Sequence, residues 1–370
     1  MTIGDSGAPS NQTIYYDELL STTLMARKKS IFDTIFKEHA FLSYLRMSGG
    51  IDYQDGGERI TVPLMYADND TIKTHGGYSI IDTTPQDSLT TAFFNWAEIA
   101  GSITISRKEE RQNSGEGKLI DLLKSKIDVA EMTMGEKLNN DLVLGTVSGA
   151  TFVPDTASDG SYGVLPLGYF FRKANRTNPT VGGNIGNIDA STYYSWWAHH
   201  TAIANNGSVE TGNSFAISVS TYKGLSVALK RMLNFTSRGG GGAADLVLMN
   251  QLTFETYENA LDDKVRYSNT KMADMGFDTI KLRGATCIWD EVVPDLYTGT
   301  AAIATGTAFF INTKFYNLMI DKETDIVTTP FLNPINQTVK TAKILFMGNA
   351  TVKNMRKHGL LYGISQSIVA

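Results

Sequence analysis

A chain of 370 residues is long enough to bury a large core and to form two domains, or one domain with a sizeable insertion. With 42% hydrophobic and 19% charged residues it is excluded from the disordered and fibrous classes, and a net charge of −5 excludes a basic field that grips nucleic acid through counterion release. The single cysteine, Cys287, excludes an intrachain disulfide, a thiol zinc cage and a CxxC redox pair.

The opening, MTIGDSGAPSNQT, lacks the basic and apolar regions of a signal peptide, and no apolar run reaches the ~18 residues of a membrane span, so a cytoplasmic protein without a membrane partner is expected. Residues 1–50 begin polar and turn amphipathic, with Leu19, Leu20, Leu24, Ile31, Ile35 and Phe36 interrupted by the basic run Arg27, Lys28, Lys29. This segment has too few apolar neighbours for a core of its own. It fits a short helix packed on the body and equally an arm that reaches over an adjacent subunit.

In ERITVPLMY, Ile60, Val62, Leu64 and Tyr66 share one face at period two, and Pro63, which has no N–H to donate, suggests an edge strand. A second strand run extends from Leu89 to Ser106, with Ile99, Gly101, Ile103 and Ile105 on one face. Between the runs lies a polar stretch with Asp68, Asn69, Asp70, Lys73, His75, Gly76 and Gly77, so the whole reads as a hairpin with a long polar tip. An isolated two-stranded hairpin is marginal in water, so this one needs a surface to lie on, either its own domain or a neighbour.

The strongest helix signal follows. Leu119, Leu123, Ile127, Ala130, Met134, Leu138 and Leu142 form one apolar stripe, Asn113 with Glu116 offers an N-terminal cap, and Gly145 can close the far end. From Lys118 to Leu144 such a helix spans about 40 Å and is expected to pack on the closing sheet. Residues 149–220 are rich in Gly, Asn, Ser and Thr, with Pro154, Pro166, Pro179 and an aromatic knot at Tyr193, Tyr194, Trp196 and Trp197; they read as interaction loops or covers.

A helix over 220–233, a glycine loop, a strand from Asp245 and a helix from Leu252 then form an α/β unit, the pattern of an inserted domain. Segments Ala308 to Ile320, Ala342 to Val352 and Gly359 to Ser365 read as strands that return to pair with the sheet begun at 97–106.

Candidate chemistry is thin. The run Arg238, Gly239, Gly240, Gly241, Gly242 follows a helix, precedes a strand and lacks the Lys-Ser/Thr of a phosphate loop, so it reads as a mobile turn. His199 and His200 are adjacent and point apart, unlike the i, i+4 pair of a zinc helix. Asp290, Glu291 and Asp295 flank Val292-Val293-Pro294, which argues for a strand exit rather than converging metal ligands. Cys287 lies in a strand-like run as a small buried hydrophobe. The basic clusters at Arg27–Lys29 and Lys353–Lys357 lack the interleaved aromatics of a single-strand binder. No catalytic residue, no cofactor site and no metal site is therefore predicted.

The stretch GFDTIKLRGATCIWDEVVPD, Gly276 to Asp295, resembles a signature of tailed-bacteriophage major capsid proteins, and VGGNIGNIDASTYYSWW, Val181 to Trp197, is similar to that family's Gly-Gly turn leading into a Trp-Trp pair, with extra residues around Asn184 to Asn187. The resemblance covers nearly the whole chain, through the order of its parts. It implies an α+β fold of the Hong Kong 97 type: an N-terminal arm at 1–50, an extended β-hairpin at 51–106, a peripheral domain at 107–165 and 306–370 built on the long helix, and an axial domain at 166–305. It also implies a structural, non-enzymatic protein that assembles as a homo-oligomer of hexamers and pentamers around packaged double-stranded DNA, without sequence-specific contacts, in a virion capsid built in the bacterial host cytoplasm. Asp68, Asp70, Lys73, His75, Gly76 and Gly77 would form an intersubunit hairpin tip, Arg238 to Gly242 a loop near the capsomer centre, and Arg27, Lys28 and Lys29 arm contacts. Some members join a hairpin lysine to an asparagine; Lys73 lies in the right sort of loop, but the sequence identifies no partner. A separate scaffolding protein, a portal and decoration proteins are the implied partners. An encapsulin-like compartment around a protein cargo would share this fold, and a binding or catalytic α/β protein is the remaining class.

Overall fold

The computed structural model describes residues 39–112, 122–148, 151–156, 162–171, 184–190, 192–204, 215–216, 222–261, 280–293, 306–334 and 337–364. In chain order these give α1 (Ala40–Ser48), β1 (Ile51–Gln54), β2 (Ile60–Met65), β3 (Leu89–Phe94), β4 (Ala97–Ser106), α2 (Arg107–Gln112) and α3 (Leu122–Val143). The middle of the chain supplies β5 (Thr146–Ser148), β6 (Thr151–Val153), α4 (Leu167–Phe170), β7 (Asn184–Ile185), β8 (Ile188–Asp189), β9 (His200–Ile203), β10 (Phe215–Ala216), α5 (Tyr222–Thr236), β11 (Leu246–Met249) and α6 (Gln251–Asn259). The last third adds β12 (Ile280–Leu282), β13 (Ala285–Trp289), β14 (Gly306–Ile311), β15 (Tyr316–Asp321), β16 (Val327–Thr328), β17 (Val339–Val352) and β18 (Gly359–Ile364). Described residues within Ala100–Glu136 and Ile326–Leu345 form one compact unit, and those within Glu38–Ile99, Lys137–Asp325 and Phe346–Ala370 another.

The larger unit is organised by a seven-stranded mixed sheet in the order β10-β9-β18-β14-β11-β13-β12. β18, β14 and β11 are buried at every position, as expected of central strands covered on both faces. Helix α5 covers this sheet with Leu225, Ala228, Leu229, Met232 and Leu233, an i, i+3, i+4, i+7, i+8 stripe whose members all lie in the core with Val247, Phe310 and Leu361. Each such large side chain taken from water contributes about 1.5–3 kcal/mol. Asn250 caps α6 by accepting from the Thr253 N–H at 3.4 Å. In the same unit, β1 lies parallel to β15, which runs antiparallel to the second half of β17. Helix α1 buries Phe41 and Leu45 and ends at Gly49, whose φ of 75° is the left-handed conformation of a helix C-terminus.

In the smaller unit β16 runs antiparallel to the first half of β17. Gly101 of β4 is one of the few glycines that sequence alternation places on an apolar face, and a Cβ there would stand 2.9 Å from Ile344 Cγ2. Lys126 of α3 donates to the Thr104 carbonyl of β4 at 3.3 Å and to Glu109 at 3.1 Å.

Several strand expectations are corrected. The run from Leu89 to Ser106 is two strands: it breaks at Asn95 and Trp96, where Asn349 Nδ2 donates to the Asn95 carbonyl at 2.7 Å and Trp96 Nε1 to the Gly57 carbonyl at 2.8 Å. β3 then pairs with β2, and β4 with β17. The run from Ala308 to Ile320 also divides, because Asn312 Oδ1 accepts from the Lys314 N–H at 3.1 Å and turns the chain, sending β14 and β15 to different sheets. Of the closing segments only β17 pairs with β4; β14 and β18 join the seven-stranded sheet.

The long helix ends as the sequence indicates, with Gly145 at φ 60° donating to the Asn140 carbonyl at 2.9 Å. Along its stripe Met134, Leu138 and Leu142 are buried, while Ile127 and Ala130 are half-buried. Asn113 and Glu116 lie outside the described residues.

Candidate assembly surface

The hairpin is built from the alternation read in the sequence. β2 and β3 pair antiparallel from Ile60 opposite Phe94 to Met65 opposite Leu89, and Ile60, Val62, Leu64, Ala92 and Phe94 turn inward and are buried. With only two strands in this sheet both are edges, the setting Pro63 requires. The inner face rests on the β7–β8 turn. The Gly186 carbonyl accepts from the Phe93 N–H at 2.9 Å, and at φ 60° a Cβ on Gly186 would stand 2.9 Å from both Ala92 and the Phe94 ring. At the outer end of the ladder the Tyr66 ring lies 5.3 Å from Trp196, which lies 5.7 Å from Trp197. Trp197 is buried and its Nε1 donates to the Ile185 carbonyl at 3.0 Å, so the aromatic knot forms the seat of the hairpin.

Beyond Met65 and Leu89 the strands stop, and residues 66–88 form turns and irregular chain that is mostly exposed. Their polar side chains bond to one another and to nearby backbone. Asn69 Oδ1 accepts from the Thr71 N–H and hydroxyl at 3.0 and 2.6 Å; Asp82 holds Thr84 in the same way at 3.1 and 2.6 Å, and these bonds lower the Asp82 carboxyl below its usual range. Ser79 Oγ donates to the Gly76 carbonyl at 2.7 Å, accepts from the Gly76 N–H at 3.0 Å and lies 2.8 Å from His75 Nδ1. Lys73 approaches Asp82 at 4.0 Å. Asp68 and Asp70 are exposed.

Among the described residues the apolar side chains have no such local cover. Ile72, Tyr78, Ile80 and Ile81 are 81%, 105%, 98% and 65% exposed. The sequence reading described a polar tip and missed them; the signal was the run Tyr78-Ser79-Ile80-Ile81, too apolar for a solvated loop.

The turn read as mobile, Arg238 to Gly242, is exposed and is tied to the body at its first two residues. Lys357 Nζ donates to the carbonyls of Arg238 and Gly239 at 2.9 and 3.0 Å, and burial, with Arg356 beside it, pulls its pKa down. Gly241 has φ 105°, and a Cβ on it would stand 2.6 Å from the Phe315 ring, so both conformation and space require glycine. Arg238 stacks over Phe235 at 3.9 Å.

The other candidates resolve into packing. His199 and His200 are buried and face different rings, Phe171 at 5.6 Å and Phe235 at 5.6 Å. His358, which the sequence reading passed over, accepts from the Asn312 N–H through Nδ1 at 3.2 Å and lies 5.1 Å from Phe171; burial, with His199 nearby, depresses its pKa to about 3. Asp290 accepts from Asn139 at 3.2 Å and from the Val292 N–H at 3.0 Å, as a strand exit does. Cys287 is fully buried in β13 and burial pushes its thiol up. Among the described residues no cluster of three or more His, Cys, Asp or Glu side chains could hold a metal ion. Arg27, Lys28, Lys29 and Asp295 lie outside the described residues.

No protein-family model matches the sequence, and no curated protein matches it. Solved structures do. The chain matches the capsid asymmetric unit of cyanophage A-1(L) with a TM-score of 0.61 at 14% identity, over 91% of this chain and 95% of that one. It matches the capsid of Myoviridae phage XM1 with a TM-score of 0.52 at 12% identity, over 97% of this chain and all of that one. The chain has the phage capsid-protein fold. That mixed α+β fold also relates it to the holo-SrpI encapsulin complex from Synechococcus elongatus PCC 7942, with a TM-score of 0.50 at 8% identity over 99% of this chain and 98% of that one. The capsid-protein fold here runs nearly the full length of both partners in each comparison.

Proposed function

We propose that this chain is the major capsid protein of a tailed phage, a structural subunit without enzymatic activity that self-assembles into hexamers and pentamers of an icosahedral head around double-stranded DNA. One observation carries the reading: the hairpin carries four large exposed apolar side chains, Ile72, Tyr78, Ile80 and Ile81, that none of the described residues covers. Burying them on neighbouring copies would supply the many weak, repeated contacts from which a shell gains its strength. The capsid-protein fold and the absence of a strongly basic charge agree with it.

In this reading Glu58 to Ser106 is the extended hairpin, Lys118 to Leu144 the spine helix of the peripheral domain, and 166–305 the axial domain. Its turn from Arg238 to Gly242 approaches the capsomer centre, and the N-terminal segment with Arg27, Lys28 and Lys29 is an arm on the adjacent subunit. Assembly takes place in the host cytoplasm with a separate scaffolding protein and a portal, and decoration proteins complete the virion. The likeness to an encapsulin favours one second reading, a compartment that encloses a protein cargo.

Negative-stain electron microscopy of the protein, expressed alone and with its neighbouring genes, tests the proposal. Closed shells or capsomer tubes are expected, and nuclease-protected DNA inside them separates a head from a cargo compartment. Deleting Asp68 to Gly77 leaves a folded subunit that builds no stable shell; normal shells from that deletion would sink the role given to the hairpin.

A further inference from the structure

Beside the root of the hairpin lies an open groove of about 580 Å³, where the fold brings the aromatic knot to the basic turn at 353–357. Tyr66, Asp68, Trp196, Lys353, Asn354 and Arg356 line it. Tyr66 and Trp196 are half-buried, with ring centroids 5.3 Å apart and planes tilted by 34°, and together they make an aromatic platform. The platform is held before any ligand arrives: the Tyr66 N–H donates to the Ser88 carbonyl at 3.1 Å, the Trp196 N–H donates to the Tyr193 carbonyl at 3.2 Å, and Trp196 lies 5.7 Å from the buried ring of Trp197. The polar lining is equally fixed. The Lys353 N–H donates to the Phe315 carbonyl at 2.7 Å, and Asn354 Oδ1 accepts from the Arg356 N–H at 3.1 Å. Lys353 Nζ gives one proton to Asp52 at 3.2 Å and keeps two. Asp68 and Arg356 are exposed, and neither has an ion-pair partner among the described residues.

The geometry points to this groove as a binding site for a neutral carbohydrate, a short chain of pyranose rings. A pyranose with equatorial hydroxyls is apolar on its two faces, where the C–H bonds point, and polar around its rim. Its face matches the Tyr66 and Trp196 rings, whose electron-rich surfaces attract C–H groups. Its rim needs acceptors and donors at once: the Asp68 carboxylate accepts, while the Arg356 guanidinium, the Asn354 side-chain amide and the two remaining Lys353 protons donate. Charge argues against an anion, because Lys353 is balanced by Asp52 and Arg356 by Asp68, which leaves the lining with no net charge. The volume falls within the range of about 300–1,000 Å³ common to small-molecule sites, and a single ring would leave much of it empty. The inference rests on these groups alone and stands whether or not the protein forms a shell.

The test is calorimetric titration of the full-length protein with cellotriose and with chitotriose, both neutral chains of equatorial pyranoses, followed in parallel by tryptophan emission. Binding of at least one is expected, with a change in emission and little dependence on salt, since a neutral ligand releases no counterions. Asp68→Ala and Arg356→Ala, both at exposed positions, are each expected to weaken binding about tenfold while leaving the melting midpoint unchanged. Trp196→Ala is expected to abolish binding. Because this ring also seats the hairpin, Trp196→Phe is the second variant: it keeps an aromatic face, so it should retain most of the affinity and lose most of the emission change. Co-sedimentation of the protein with regenerated cellulose extends the site to polymer surfaces, and binding of the trisaccharides without co-sedimentation assigns it to soluble chains. Neither heat nor an emission change with both sugars, or binding indifferent to Asp68→Ala, Arg356→Ala and Trp196→Ala, overturns the proposal.

Discussion

The seven-stranded sheet and the hairpin tip differ in how they treat apolar side chains. In β11, β14 and β18 every residue is buried, and α5 lays a full apolar stripe on the same core. In residues 66–88 the arrangement is inverted: the polar groups satisfy one another locally while Ile72, Tyr78 and Ile80 stand almost fully in solvent. Burial of apolar area is the main force in both folding and association. The sheet uses it inside the subunit, and the tip leaves it exposed for a surface that the described residues do not provide.

Breaking the sheet should give the largest loss of stability. Phe310→Ala, fully buried in β14, is expected to cost about 3–5 kcal/mol, read as a lower midpoint in urea unfolding of the unassembled subunit. Gly241→Ala should cost less, about 1–3 kcal/mol, because a methyl group there meets the Phe315 ring in a backbone conformation that disfavours it; hydrogen exchange should then quicken around Lys357 before it quickens in β11.

A milder effect comes from pH. His358 titrates near its ordinary value of 6.5 when unfolded and at about 3 when folded, so the unfolded chain binds a proton that the native chain refuses. Stability contributed by the neutral ring is complete above pH 6.5 and falls as pH drops through that window toward 3. His358→Gln should flatten the slope of stability against pH between 6.5 and 5; an unchanged slope would assign the acid sensitivity elsewhere. The smallest stability change belongs to the tip. Replacing Ile72, Tyr78 and Ile80 together with Ser should move the subunit's unfolding free energy by no more than about 0.5 kcal/mol while abolishing assembly seen by light scattering. A large loss of subunit stability in that variant would mean the tip packs at home, and the contrast with the sheet would fail.

Local pattern made some of this legible. Ile60, Val62 and Leu64 announce a strand with one buried face, the Leu138–Leu142 spacing and Gly145 announce a helix and its end, and the alternation of helix and strand over 220–252 announces the α/β unit that holds α5, β11 and α6. Where partners are distant, pattern was silent. The break at Asn95 depends on Asn349, 254 residues away, and the ion pair of Glu110 with Lys340 spans 230 residues. The parallel pairing of β9 with β18 joins segments with no common local signal. Exposure of Ile80 and Ile81 was hidden for a different reason, since an apolar pair in sequence looks the same whether its cover is its own chain or another.

The lone thiol offers a clock. Cys287 lies in β13 between β11 and β12, fully enclosed, and the thiolate that reacts with disulfide reagents is disfavoured as long as it stays there. Modification must therefore wait for the strand to part from its neighbours, and with no second cysteine in the chain the reagent reads one event only. Its rate at saturating reagent is the opening rate of this side of the sheet, so a colour change in a cuvette can time how often the β11–β13–β12 flank of this subunit breathes.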